Sequence, residues 1–145
     1  MLCLRINRGL SARVADLEWL KSQARKSVVF FESDLAPHFK AEEEVLFPSM
    51  RDISSAAELI AALLEEHLEV KRLANNLRSG DKNSIAETLT EFARLLEAHI
   101  RKEERELFPI YETEITGSVA QQVEHDIVAA IGTALEPKNP ELLEP

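Results

Sequence analysis

The chain has 145 residues, 45% of them hydrophobic, which suffices for one domain with its own core. Four Gly and six Pro against abundant Leu, Ala, Glu, Lys and Arg predict an all-helical protein, and no stretch carries the alternating β-branched pattern of a sheet. A formal charge of −9, with basic residues interleaved among acids, argues against nucleic acid as a partner, and no apolar run approaches the roughly 20 residues of a membrane span.

Cys3 stands alone, so neither a disulfide framework nor a thiolate zinc site is expected. The N-terminus lacks an apolar stretch ending in a small-residue cleavage site, and the expected address is cytoplasmic.

In chain order, residues 1–9 read as the end of a shortened first helix closed at Gly9. Asp16 caps a second helix that Pro48 should stop after Phe47. Ser55 with Glu58 forms a capping-box signature ahead of a helix over about 56–78, which Gly80 closes. Ser84 with Glu87 opens the next helix, over about 85–108, with Pro109 as its stop. Ser118 with Gln121 opens a shorter helix over about 119–135. Three prolines make 137–145 a disordered tail. The expectation is a single domain over 1–136: an up-down-up-down four-helix bundle with a shortened first helix and a short extra C-terminal helix.

Apolar residues in these helices recur at alternating steps of three and four, the pattern of a bundle seam. The seams run Leu17, Leu20, Ala24, Val28, Phe31, Leu35, then Ala56, Ile60, Leu63, Val70, Ala74, Leu77, then Ile85, Leu89, Phe92, Leu96, Leu107. Continued at the same steps, they land on His38 and Glu42, on His67, and on His99 and Glu103.

An internal repeat coincides with those interruptions. His38-Phe-Lys-Ala-Glu42-Glu-Glu-Val-Leu-Phe-Pro48 matches His99-Ile-Arg-Lys-Glu103-Glu-Arg-Glu-Leu-Phe-Pro109 at six of eleven positions, 61 residues apart. Residues i and i+4 share a helix face, so each His-Glu pair can reach one ion. His38 and His99 lie ten residues before their prolines and His67 twelve after Ser55, which places all three about 15–18 Å from one end of an up-down bundle. Burying two carboxylates there without a cation would cost several kcal/mol each. Imidazole with carboxylate suits iron, zinc or manganese. His125 falls off the Val119-Val123-Ile127 face and reads as a surface residue.

The segments His38-Phe39-x-x-Glu42-Glu43, Glu66-His67 and His99-x-x-x-Glu103-Glu104, with each repeat closing in Leu-Phe-Pro, resemble the hemerythrin-like HHE cation-binding family over about residues 17–112. The resemblance implies two non-haem iron ions per chain, bridged by Glu42 and Glu103 and capped by His38, His67 and His99. It also implies a small diatomic ligand such as oxygen or nitric oxide. Lys71 stands where animal hemerythrins carry a second His on that helix, and Glu103 lies one residue before the position of their Asp. The family takes a further His from its first helix, and this chain has none before His38. Either an upstream segment supplies that His or the site is open on one side.

Three function classes stay open at this point: a gas-binding or gas-sensing iron protein, a di-iron oxidoreductase (peroxidase, ferroxidase or nitric-oxide-handling), and a metal-free interaction module. The Glu-x-x-His pairs of ferritin-like enzymes are missing, since Leu35, Leu64 and Leu96 stand three residues before the histidines. A first helix of ten residues spans about 15 Å and would leave a groove near His38 and His99. A second copy of the chain is the expected cover, unless water holds an open coordination position.

Overall fold

The computed structural model describes residues 16–80 and 83–134. The expected helix over 1–9 and the tail over 137–145 lie outside them. The described residues form four helices and no strand.

Helix α1 covers residues 17–49. Asp16, in extended conformation, accepts the Trp19 N–H at 3.0 Å and so caps it as expected. Two π-turns, Phe31–Leu35 and Glu42–Leu46, interrupt it. Helix α2 spans Ala57–Ser79 and begins from a 3-10 turn at Ser54–Ala56. The Ser55–Glu58 box does not form; Ala56 holds the cap position without a side-chain bond. Gly80 ends α2 at φ 71°, the left-handed conformation that closes a helix most cheaply with glycine. Helix α3 covers residues 85–114, with a third π-turn at Glu103–Leu107. Helix α4 is Gly117–Ala134.

Pro48 and Pro109 therefore do not stop their helices: α1 continues to Ser49 and α3 to Glu114. The cause lies in the π-turns. A proline offers no N–H to the carbonyl four residues back, and its ring collides with that carbonyl. In each case the residue just before the proline donates instead to a carbonyl five residues back: Ala36 to Phe31 before Pro37, Phe47 to Glu42 before Pro48, and Phe108 to Glu103 before Pro109. The wider turn moves the obstructing carbonyl aside, and the helix passes through.

Each π-turn also inserts a residue, which turns the face that follows by about 100°. On an uninterrupted α-helix the seam Phe31, Leu35 would continue to His38. Here it continues to Phe39, which is buried, while His38 is exposed.

Two apolar clusters hold the helices. One joins Leu20, Phe31 and Phe39 of α1 to Val70–Leu77 of α2 and Ile85–Leu96 of α3. The other joins Leu46, Phe47 and Met50 to Ala56 and Leu63, to Leu107, and to Val123 of α4. Leu63, Leu89, Phe92, Leu96 and Leu107 are almost wholly buried, and each contributes about 1.5–3 kcal/mol from burial. Helix α4 packs along α1 from Ala36 to Leu46. Leu35 and Leu96 are buried as well. Among the described residues no helix is long and apolar enough to cross a membrane.

Candidate metal centre

Between the two apolar clusters the seams turn polar. His67 follows Leu63 and precedes Val70 on α2, and His99 follows Leu96 on α3; all of these are buried. Glu42 and Glu103 are the first residues of the second and third π-turns. Glu42, His67, His99 and Glu103 each offer one ligand atom, and these four atoms all lie within 4.8 Å of one another.

The four are nearly shut off from water, with side-chain exposures of 15%, 4%, 1% and 10%. His67 Nε2 is 3.7 Å from Glu42 Oε2, and His99 Nε2 is 2.9 Å from Glu103 Oε1, in neither case aligned as a hydrogen bond. Glu42 Oε2, both nitrogens of His67, His99 Nε2 and Glu103 Oε1 are buried without any hydrogen-bond partner. A buried polar atom left unpaired costs about 1–3 kcal/mol, so five in one buried site are a poor arrangement for the bare protein. They are a suitable one for a cation, because two imidazole nitrogens and two carboxylate oxygens form a donor set that iron, zinc or manganese accepts.

Further residues orient these donors. The Nδ1–H of His99 donates to Glu66 Oε1 at 3.0 Å, and Lys102 Nζ donates to the other oxygen of Glu66. That fixes the tautomer with Nε2 unprotonated and facing the cluster. His67 has a matching neighbour, with Nδ1 lying 3.4 Å from Glu43 Oε2. Phe39 stacks on the His67 ring at 3.8 Å and 9°, and meets His99 edge-on at 5.4 Å.

Electrostatics separate the four groups. Burial, with the Glu103 carboxylate beside it, pushes the Glu42 carboxyl up to about 10. Burial, reinforced by the neighbouring His99, pulls His67 down to about 4. For His99 burial works downward too, but the Glu103 and Glu66 carboxylates outweigh it and raise its pKa. Glu103 is lowered, because His99 and Glu42 together outweigh the upward pull of its own burial. At neutral pH His67 thus offers a free lone pair, while Glu42 holds a proton that an entering cation would displace.

Of the five residues named from the seam, the structure brings four together and leaves one apart. His38 is exposed, its Nδ1–H donates to the Asp34 carbonyl at 2.7 Å, and it is not among the four clustered ligands. His125 is 78% exposed and Lys71 is exposed. Glu66 and Phe39 stand in the motifs read from the sequence, but their roles beside the site were not legible there. Glu66 lies 33 residues from His99, and no periodicity within either helix connects them. Phe39 faces inward only because of the first π-turn.

A helical bundle whose core is interrupted by two imidazoles and two carboxylates defines a metal-binding bundle. A sequence model of the hemerythrin HHE cation binding domain matches residues 2–111. The chain belongs to that family. It is also similar to a DNA nickase of Nostoc sp., with 28% identity over 99 residues, covering 67% of this chain and 28% of the nickase. The chain thus spans less than a third of that relative's length. No solved structure matches it.

Proposed function

We propose that this chain is a non-haem iron protein that binds or senses a small diatomic gas, oxygen or nitric oxide. Glu42, His67, His99 and Glu103 hold the metal. The observation that carries the reading is the convergence of four ligand atoms, one from each residue, in a buried site whose polar atoms lack partners. Iron held there supplies ligand exchange and one-electron chemistry. Glu66 and Lys102 keep His99 in its ligating tautomer, Phe39 holds the plane of His67, and the two apolar clusters exclude bulk water on either side.

A cleft of about 390 Å³ reaches the His67 edge between Phe31, Phe39, Glu43, Leu68 and Lys71, wide enough for a diatomic molecule. An up-down order of the helices accounts for the two clusters. One gathers the start of α1, the end of α2 and the start of α3, and the other gathers the opposite ends.

The nicking activity in the relative's name is not carried over, since a chain of formal charge −9 repels a phosphate backbone and the likeness covers 28% of that protein. The test is anaerobic Fe(II) loading followed by oxygen or nitric oxide, read by absorption spectroscopy. A spectral change that reverses on degassing supports gas binding, and turnover with peroxide would move the reading to an oxidoreductase. Protein that retains no iron after loading would end it.

A further inference from the structure

Donor separations limit how many ions the cluster can hold. Nitrogen and oxygen ligands sit about 2.0–2.2 Å from such a metal, so two donors on opposite sides of one ion are at most about 4.4 Å apart. In a two-ion site the metals are about 3.5–4 Å apart, so end donors on different ions lie up to about 8 Å from each other. The ligand atoms of the two histidines and two glutamates here are all within 4.8 Å, with His99 Nε2 2.9 Å from Glu103 Oε1 and His67 Nε2 3.7 Å from Glu42 Oε2. A limit of 4.8 Å is nearer the span of one coordination sphere than the roughly 8 Å that can part the end donors of two ions.

A second ion would need end donors of its own, and among the described residues the positions one turn from the clustered ligands do not supply them. His38, one turn before Glu42, is exposed and is not among the clustered ligands. One turn after His67 stands Lys71, exposed, whose ammonium is a cation and whose charge favours the ionised form of Glu43. The π-turn ahead of His38 fixes this arrangement in the backbone, because it puts Phe39 against His67 and leaves no inward position for the neighbouring imidazole.

We infer that this chain holds one metal ion, coordinated by Glu42, His67, His99 and Glu103, in place of the ion pair that its family resemblance implies. The inference rests on the metal reading above. Four protein donors leave two positions of a six-coordinate iron for water or an exogenous ligand. Neither carboxylate has to bridge, and the hand-off of charge between paired metals is unavailable to this protein.

The experiment loads the full chain with excess Fe(II) anaerobically, removes unbound metal, and determines iron per chain by elemental analysis. The oxidised sample is then frozen for electron paramagnetic resonance. One iron per chain, all of it giving an isolated high-spin ferric signal, is the expected result. Two per chain with a silent, spin-coupled ferric pair would overturn the one-ion inference while leaving the metal reading standing; no retained iron would sink both. As a second arm, His38→Ala should keep the stoichiometry and hold affinity within about twofold, a change below 0.5 kcal/mol. His99→Ala should lower affinity at least about a hundredfold. Equal losses in these two variants, with helical circular dichroism intact, would also overturn the inference.

Discussion

Glu66 on α2 accepts the Nδ1–H of His99 on α3 at 3.0 Å, and Lys102, three residues beyond His99, donates to the same carboxylate. A cation thus balances the acid that orients the imidazole, on the side of His99 away from Glu103. The ring can present Nε2 to the cluster only while that bond holds, which makes Glu66 a positioning residue. Glu66→Ala is expected to weaken iron binding about 10–100-fold, with partial recovery in Glu66→Gln, whose side-chain oxygen still accepts the Nδ1–H. Chelator competition measures it. Unchanged affinity in Glu66→Ala would show that the bond is incidental.

Removal of either clustered carboxylate should strip metal, whereas His125→Ala should not. Glu42→Ala and Glu103→Ala each delete one of four donors, while the His125 ring is out in solvent. Iron content after identical loading is the measurement, and equal content in all three variants would mean that the ligands have been misassigned. The same carboxylates burden the metal-free protein. Glu42→Leu should therefore raise the stability of the metal-free chain by about 1–3 kcal/mol in urea unfolding, even as it abolishes iron binding.

Metal affinity should rise with pH. The Glu42 carboxyl, raised to about 10, holds a proton at neutral pH that must leave before it can ligate. A displaced proton makes binding about tenfold tighter per pH unit, so about a tenfold gain per unit is expected between about pH 6 and 9. The metal-free fold should respond in the opposite direction. A folded pKa above the unfolded one contributes stability that is complete below the unfolded value of 4.5 and is lost as pH rises toward about 10. Chelated protein should then melt at a lower temperature at pH 9 than at pH 6.5. Flat affinity across that range would contradict the protonation states argued here.

Pro109→Ala separates stability from metal binding. An interior proline costs a helix about 3 kcal/mol, and alanine restores the N–H that would let Glu103–Leu107 relax into an ordinary α-turn. That relaxation would rotate Glu103 against His99. The variant should melt higher than the parent protein yet bind iron at least about tenfold more weakly, on the scale of a disturbed ligand. Thermal unfolding and chelator competition, run on the same preparation, read the two effects. Tighter binding together with higher stability would refute a role for the π-turn in placing the carboxylate.

Much of this architecture was legible from the sequence. The Asp16 cap and the Gly80 stop follow from local chemistry and reappear in the structure at those residues. The seams through Leu63, Val70, Leu89 and Leu96 follow from helical periodicity, and they pointed to His67 and His99 because an ionisable residue on an apolar stripe breaks the pattern visibly. Periodicity presumes a constant number of residues per turn, however, and the π-turns violate it. Phe31–Leu35 advances the register by one residue, so His38 and Phe39 exchange places, and nothing in the identity of those side chains announces that exchange. The prolines carried the missing signal in a form open to two readings, since a helix can either stop at a proline or widen ahead of it. Which outcome prevails depends on whether the residues beyond find partners: Phe47 and Met50 are buried with Leu63, and Ile110 packs on the same cluster. Local chemistry in the sequence determined the helices and the identity of the donors. Packing between helices decided their register, and with it which imidazoles face the centre, because only contacts distant along the chain can offset the strain of a π-turn.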